Sequence, residues 1–333
     1  MSDKMQELYD AYDMDVRQTM RGRGATILKT DQGIFQLKSL EGSENRLNAE
    51  YIFKEKLAEQ GFVHIDRCIK NKEGELVTYD RYGNPFVMRK FYQGRECSVT
   101  KPEEIDMAVD NLARLHIACR EVFNSTESDV HIRSNGDFRR RNRELKRVRS
   151  FIGRQKSRKE FENLYIKAYD YFYNRALECE AEFTPYFSMD MRNHVGYCHG
   201  MYNHHSILIS NEGEQVVATI SFDKFFVGNQ LSDLYHFIRK IVEKNNYSFD
   251  VMIAIMERYS KICHLSPEDV EYIYILYCYP EKFYKISNQY INSSKNWISP
   301  KMIEKLNKLM EDEGDKEELL KKLKIYKSEL KST

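Results

Sequence analysis

Almost no net charge is available to this chain: 52 Lys and Arg against 51 Asp and Glu leave +1 at pH 7. Such a balance gives no whole-molecule reason to expect nucleic acid or a charged membrane as partner, so any role of that kind must come from a local patch. Long apolar runs are also missing. The longest, near Tyr272 to Tyr279, falls far short of the ~20 residues that a spanning helix needs. The seven cysteines (Cys68, Cys97, Cys119, Cys179, Cys198, Cys263, Cys278) contain no C-x-x-C pair. That scatter argues against a disulfide framework or zinc ribbon and for reduced, mostly buried thiols. The segment MSDKMQELYDAYDMDV is acidic without an apolar core, and so reads as neither secretory signal nor mitochondrial presequence. A soluble protein made in the cytosol is expected, in which the glycosylation patterns at Asn124, Asn246 and Asn292 go unused. No internal repeat or low-complexity segment appears.

What the chain does have is core material. Hydrophobic residues make up 41%, charged residues 31% and aromatics 13%, including 23 Tyr and 18 Phe, the profile of an ordinary globular protein. A length of 333 residues exceeds the usual single domain and favours two packed units. Residues 17–40 read as a hairpin or two: Ala25 to Leu28, a turn at Thr30-Asp31-Gln32-Gly33, then Ile34 to Leu40. Helical spacing follows from Ser43 through Leu47, Glu50, Tyr51, Phe53 and Leu57, with Gly61 as C-terminal cap. A second strand pair lies near Glu75 to Tyr79 and Phe86 to Tyr92. From Pro102 the pattern turns helical, with Ile105, Val109, Leu112, Leu115, His116 and Cys119 on one face. A charged helix pair spans roughly 138–183, and Ile207 to Ile209 with Val216 to Ile220 form a hairpin about Ser210-Asn211-Glu212-Gly213. The rest is helical except near Asn292 to Pro300. Strands with one interleaved helix, followed by a helical half carrying one hairpin, predict an α+β chain, not a doubly wound sheet. Its lobes are expected at 1–91 and 92–333.

The stretch CHGMYNHHSILIS, residues 198–210, has the frame of a phosphate-transferring loop without its chemistry. It resembles the H-G-D-x-x-x-x-N loop of aminoglycoside and choline phosphotransferases. Other stretches resemble one branch of that kinase-like group, the CotS-type spore-coat proteins of endospore-forming bacteria. They are Gln93 to Cys97, Leu112 to His116, Ser221 to Lys224, Asp233 to Lys240, Tyr279 to Ile286 and Lys295 to Ser299. Several motifs in order, over about 17–320, are far more specific than any one of them. The resemblance implies a two-lobed protein-kinase-like fold with defined roles. A strand lysine holds nucleotide phosphates and a helix glutamate orients it; a loop aspartate takes the substrate proton, and an asparagine and a second aspartate hold magnesium. By position Lys38 fits the lysine, with Glu50, or alternatively Glu44, as its glutamate. Phe86-Val87-Met88-Arg89 would be the hinge against an adenine ring, and Gly22 and Gly24 a turn over phosphates.

The chemical positions have changed. Behind His199 the loop aspartate position is Met201, the asparagine position is Ser206, and Ile220-Ser221-Phe222-Asp223 places serine where the family has a metal-binding carboxylate. Serine hydroxyls are poor substitutes for charged oxygens on magnesium, and positioning with charge neutralisation is nearly all the catalysis such enzymes perform. The resemblance with these losses implies a pseudokinase, a structural or interaction component of the endospore coat. It would be synthesised in the mother-cell cytoplasm and deposited on the forespore, with other coat proteins as partners and no cofactor. The alternative is an active small-molecule phosphotransferase with an alcohol acceptor, ATP and Mg, using Asp223 and Asn203 in shifted roles. Asp223 lies two residues, about 6–7 Å of strand, from the lost ligand.

Blander readings stand beside these. His199 and His116 read as scaffold, and Asp233 as a helix cap or loop pin. His194, Cys198, His199, His204 and His205 could suggest zinc, but adjacent His204 and His205 converge poorly on one ion, so no metal site is expected. Residues 138–160 hold eleven basic side chains against two acidic. Either they form a solvated face with Phe138, Leu145, Val148 and Ile152 turned inward, or Arg139, Arg140, Arg141 and Arg143 grip an anionic partner such as an acidic coat protein or polymer. Nucleic acid is disfavoured because aromatics are too sparse for stacking.

Overall fold

A computed structural model describes residues 3–22, 24–125, 138–183, 194–213, 215–293 and 299–330. Residues 295–298 of the Lys295 to Ser299 motif lie outside them. The chain forms two compact units, Met1–His131 with Gly196–Val227 and Ile132–Val195 with Gly228–Thr333. The boundary expected at 91/92 does not coincide with a division between these units. The long helix after residue 101 stays with the sheet, because Asn111 donates to both Tyr202 Oη and Thr219 Oγ1 at 2.9 Å.

The first unit opens with α1 (Asp3–Asp10) and the strands β1 (Val16–Gly22), β2 (Ala25–Thr30) and β3 (Gly33–Ser39). Then come α2 (Glu44–Glu59), β4 (Cys68–Ile69), β5 (Thr78–Tyr79), β6 (Pro85–Lys90), β7 (Arg95–Glu96) and α3 (Pro102–Asn124). After the excursion through the second unit the chain adds β8 (Val195–Cys198), β9 (Ile207–Ile209), β10 (Val216–Thr219) and β11 (Phe226–Asn229). The main sheet is antiparallel in the order β1-β2-β3-β6-β4, with β5 also on β6. Its alternation sends successive side chains to opposite faces. Leu28, Phe35, Leu37 and Met88 meet Leu8, Tyr9 and Tyr12 of the α1 region. Val87 turns the other way and packs with Leu47 of α2, Cys68, Leu76 and Val77. Ser43 starts α2 by accepting the Arg46 N–H, and the helix ends before Gly61, whose φ of +85° is the left-handed cap that glycine supplies without strain. A smaller sheet runs β10-β9-β7, and β11 pairs with β8. The acidic N-terminal stretch thus has an apolar side after all: Met5, Leu8, Tyr9 and Tyr12 recur at helical spacing and bury against the sheet.

Helices build the second unit: α4 (Phe138–Gly153), α5 (Glu160–Phe183), α6 (Leu231–Val242), α7 (Phe249–Ser260), α8 (Pro267–Cys278), α9 (Glu281–Asn292), α10 (Pro300–Glu311) and α11 (Glu313–Leu330). Phe138, Leu145, Val148 and Ile152 point inward from α4, as their spacing predicts. Aromatic rings supply much of the core, with Phe283 stacked on Phe172 and Tyr165 at 4.7 and 4.9 Å between centroids. Such pairs add about 0.5–1.5 kcal/mol each beyond their buried area. All seven cysteines are buried and unpaired with one another. Among the described residues no helix is long and apolar enough to cross a membrane.

Candidate functional site

The kinase-like loop and the strands around it belong to the first unit and are held by α2, α3 and β7. Gly94 can only be glycine, since a Cβ there would stand 2.9 Å from the Ile209 carbonyl oxygen. Arg95 then forks onto Glu104 of α3, Nη1 to Oε2 at 2.7 Å and Nη2 to Oε1 at 2.6 Å. Those hydrogen bonds, aided by the Ser98 N–H, hold the Glu104 carboxyl at about 2 against its burial. Glu96 takes His205 Nδ1 at 2.6 Å, and the Cys97 N–H reaches Ile207 O. The Gln93 to Cys97 motif is therefore the brace of the loop.

Within the loop, polar groups serve the backbone. His199 is fully buried, its Nε2 3.0 Å from Ile220 O and its Nδ1 accepting the Met201 N–H at 3.2 Å. Gly200 turns with φ +83° where an added Cβ would lie 2.1 Å from Lys224 O. Met201 occupies the proton-acceptor position half exposed, at 51%. Ser206, in the asparagine position, donates its hydroxyl to Asn203 O at 2.8 Å and accepts the Asn203 N–H at 3.0 Å. Asn203 closes the same turn, its Nδ2 on Met201 O at 2.6 Å and its Oδ1 under the His205 N–H. Sequence reasoning treated Ser206 as a weak metal ligand; it is a turn lock.

The segment 220–225 is fixed just as firmly. Ser221 adopts φ 70°, rare outside glycine, and its N–H donates to Asp66 Oδ2 at 3.0 Å. Arg46 of α2 donates to Asp223 O at 3.0 Å and Phe225 O at 2.7 Å, with its guanidinium 5.0 Å over the Phe225 ring. Phe53 stacks between Phe225 and Tyr197, at 5.2 and 4.6 Å. The Asp223 side chain is 57% exposed, with Lys224 Nζ 3.8 Å away.

The expected lysine–glutamate pair is where the structure departs most from the sequence reading. Lys38 does not meet Glu50. It is 48% exposed at the end of β3 and pairs with Glu41 at 3.3 Å. Glu44, the alternative, accepts the Tyr79 hydroxyl at the surface. Glu50 instead binds Arg89 of β6 through both guanidinium ends and Lys54, one helical turn on, at 2.6 Å. Lys54 is 0% exposed and also donates to the carbonyl and Oδ1 of Asp66, at 2.9 and 2.6 Å. Burial pushes the Glu50 carboxyl up, but the Lys54 and Arg89 charges outweigh it and hold it at about 2. Neither Lys54, Asp66 nor Arg46 was singled out beforehand. The available signal for Lys54 was its place on the buried face of α2, Leu47-Glu50-Phe53-Lys54-Leu57, where a lone lysine requires a carboxylate partner.

The segment expected as the hinge lies within a strand. Phe86 to Arg89 are interior to β6, so Met88 is wholly buried in the α1-side core and Arg89 faces α2. Gly22 pairs with Ala25 where β1 and β2 close, and Gly24 has φ +71°. The two glycines border an open recess of about 450 Å³ with Thr26, Leu37 and Phe86.

A divalent ion beside a nucleotide wants several hard oxygen ligands in near-octahedral array. Asp223 is the lone carboxylate of the 220–225 segment, and among the described residues no three His, Cys, Asp or Glu side chains form a group that could hold a metal ion. In the loop Met201 offers no side-chain oxygen ligand, and the Ser206 hydroxyl is engaged with the Asn203 backbone. The histidines suggested for zinc have other partners: Ile220 O for His199, Glu96 for His205 and, in the second unit, Asp269 for His194 at 3.0 Å. His116 is wholly buried on α3, and Asp233 is wholly buried in the first turn of α6. Of the arginines nominated for an anionic partner, Arg141 is committed internally, to Glu281 and over the Tyr284 ring at 5.1 Å. Arg139 reaches Glu180 at 3.4 Å and Arg140 reaches Glu144 at 2.8 Å, while Arg143 is exposed.

Solved structures similar to this one include phosphotransferases. An aminoglycoside phosphotransferase from Alicyclobacillus acidocaldarius superposes with a TM-score of 0.80 at 17% identity, covering 98% of this chain and 96% of its own. A spectinomycin phosphotransferase in complex with ADP and spectinomycin gives 0.67 at 12% identity, covering 94% and 97%. A choline kinase, LicA from Streptococcus pneumoniae, gives 0.52 at 12% identity, covering 93% and 96%. Identities this low show the fold alone, and it is the α+β, two-lobed protein-kinase-like class expected from the sequence. No curated protein matches the chain. Residues 5–323 match the family described as "Spore coat putative kinase YutH", and to that family of kinase-like spore-coat proteins the chain belongs.

Proposed function

We propose that this protein is a pseudokinase that acts as a structural or interaction component of the endospore coat, without transferring phosphate. The observation carrying this reading is the commitment of the cation beside the helix glutamate: Lys54 is sealed between Glu50 and Asp66 with no exposed surface. Its partner Asp66 spends its other oxygen on the Ser221 N–H, so the metal-side segment is pinned by the same carboxylate. Met201 and Ser206 add a loop without a base and without a metal ligand. On this reading the kinase-like fold is kept as a rigid body for coat assembly, made in the mother-cell cytoplasm and then deposited on the forespore.

Isothermal titration of the full chain with Mg-ATP tests it. No heat is expected up to millimolar nucleotide, and magnesium-dependent saturable binding would overturn the reading. The triple variant Met201→Asp, Ser206→Asn, Ser221→Asp is expected to remain silent as well, because it leaves Lys54 sealed. One observation favours a rival, an ATP- and Mg-dependent phosphotransferase: the exposed Asp223 carboxylate has its nearest cation at a loose 3.8 Å. Phosphate transfer from ATP to an alcohol, abolished by Asp223→Asn, would establish that rival.

A further inference from the structure

We propose that the second unit carries a binding site for a compact polyanion, in a cleft of about 600 Å³ walled by α6, α9 and α10. The volume suits a small organic ligand. Charge decides its class. From α6 come Arg239 and Lys240, from α9 Lys282 and Lys285, and from α10 Lys301, Lys305 and Lys308, while Glu243 and Glu304 are the carboxylates of the lining.

Four of these cations are balanced internally. Arg239 pairs with Glu243 at 2.9 Å, Lys282 with Glu243 at 3.4 Å and Asp312 at 3.9 Å, Lys285 with Glu281 at 3.2 Å and Lys308 with Asp312 at 2.6 Å. Lys305 reaches a neutral partner, Gln289 Oε1, at 3.3 Å. Counting Glu281 and Asp312 behind the wall, seven cations meet four carboxylates, and Glu281 is shared with Arg141 outside the cleft. Residues 301, 305 and 308 follow i, i+4, i+7 spacing, which aligns three ammonium groups along one side of α10. Like charges so spaced repel one another, and a bound anion relieves the repulsion.

Two neighbouring groups feel these cations in addition to their burial. Burial and then the charges of Arg239 and Lys285 pull His236 down to about 4, and burial and then Arg239 lower Lys240. Ammonium groups are point donors suited to phosphate or carboxylate oxygens, so the shared chemistry is a small molecule with several such groups. This site is separate from the degenerate loop and does not depend on whether nucleotide binds there.

Titration calorimetry of the full chain at low salt tests the proposal, with tripolyphosphate and citrate as probes. One-to-one binding of at least one probe is expected, and the probe that binds identifies the phosphate or carboxylate source. Lys301→Gln with Lys305→Gln, both at exposed helix positions, should weaken it about tenfold or more, given the strength of charge-assisted hydrogen bonds. Lys240→Gln should also weaken it. Lys146→Gln with Arg147→Gln, on the exposed side of α4, should leave it within about twofold, since dispersed surface charge contributes little. Silence toward both probes would overturn the proposal, and so would equal weakening by the α4 and α10 variants, which would reduce the effect to diffuse surface charge.

Discussion

Lys54 and Lys38 carry the same charge and opposite consequences. Lys54 compensates two buried carboxylates, so Lys54→Met leaves Asp66 without its paired cation and Glu50 with Arg89 alone. Removing one partner of a buried ion pair costs about 3–5 kcal/mol, and urea denaturation of Lys54→Met should show a loss of that size. Lys38→Met removes one exposed pair and should change stability by under about 0.5 kcal/mol. A lysine at position 38 whose loss is as damaging as that of Lys54 would contradict the arrangement. The inward place of Glu50 on α2 was legible in the sequence; its partners were not. Position in a family frame pointed along the strand to Lys38, whereas the partner lay one turn along the same helix, and Arg89 came from a strand nearly forty residues away. The bonds of Ser206 to the Asn203 backbone and of the Ser221 N–H to Asp66 were not legible, because they depend on a backbone path that no spacing rule supplies.

Elements were more readable than partners. The period of α3 and α4 identified their inward faces because a helix repeats every ~3.6 residues whatever surrounds it. Two-residue strands such as β7 have no period to read, and Arg141 looked like one of a solvated row because Glu281, its partner, is 140 residues on. The start of α8 shows an element whose stability depends on pH. Ser266 and Asp269 form a reciprocal cap, and the same Asp269 Oδ2 lies 3.0 Å from His194 Nε2. Burial opposes protonation of His194, but the Asp269 hydrogen bond prevails and raises it from 6.5 to about 9. The raised value means the bond contributes fully below about pH 6.5 and is lost as pH rises through 9. Thermal melts should therefore drop between pH 6.5 and 9 in the wild type. In His194→Gln that pH-dependent drop should be largely removed, and an unchanged slope would refute the link.

At the scale of the whole chain, neither unit is one contiguous segment. The first recruits Gly196–Val227 after the second has begun, and the second resumes at Gly228. A fragment of residues 1–131 keeps α2 and α3 but lacks Tyr202 and Thr219, which Asn111 holds, and the carbonyls that Arg46 grips. It should show no cooperative urea transition by circular dichroism. A sharp transition with a native-like slope would mean that 196–227 is dispensable to the first unit. Composition and element order were enough to reveal a two-unit α+β chain, but a boundary that doubles back on itself depends on contacts distant in sequence.

The burial of every thiol gives these units a native clock. Cys68, Cys97, Cys119 and Cys198 fall in the first and Cys179, Cys263 and Cys278 in the second, all shielded in the folded state. Burial also raises Cys68, Cys97, Cys179 and Cys278, leaving little thiolate to react. Alkylation followed by peptide mass mapping would thus time the opening of each half separately, with no engineered cysteine.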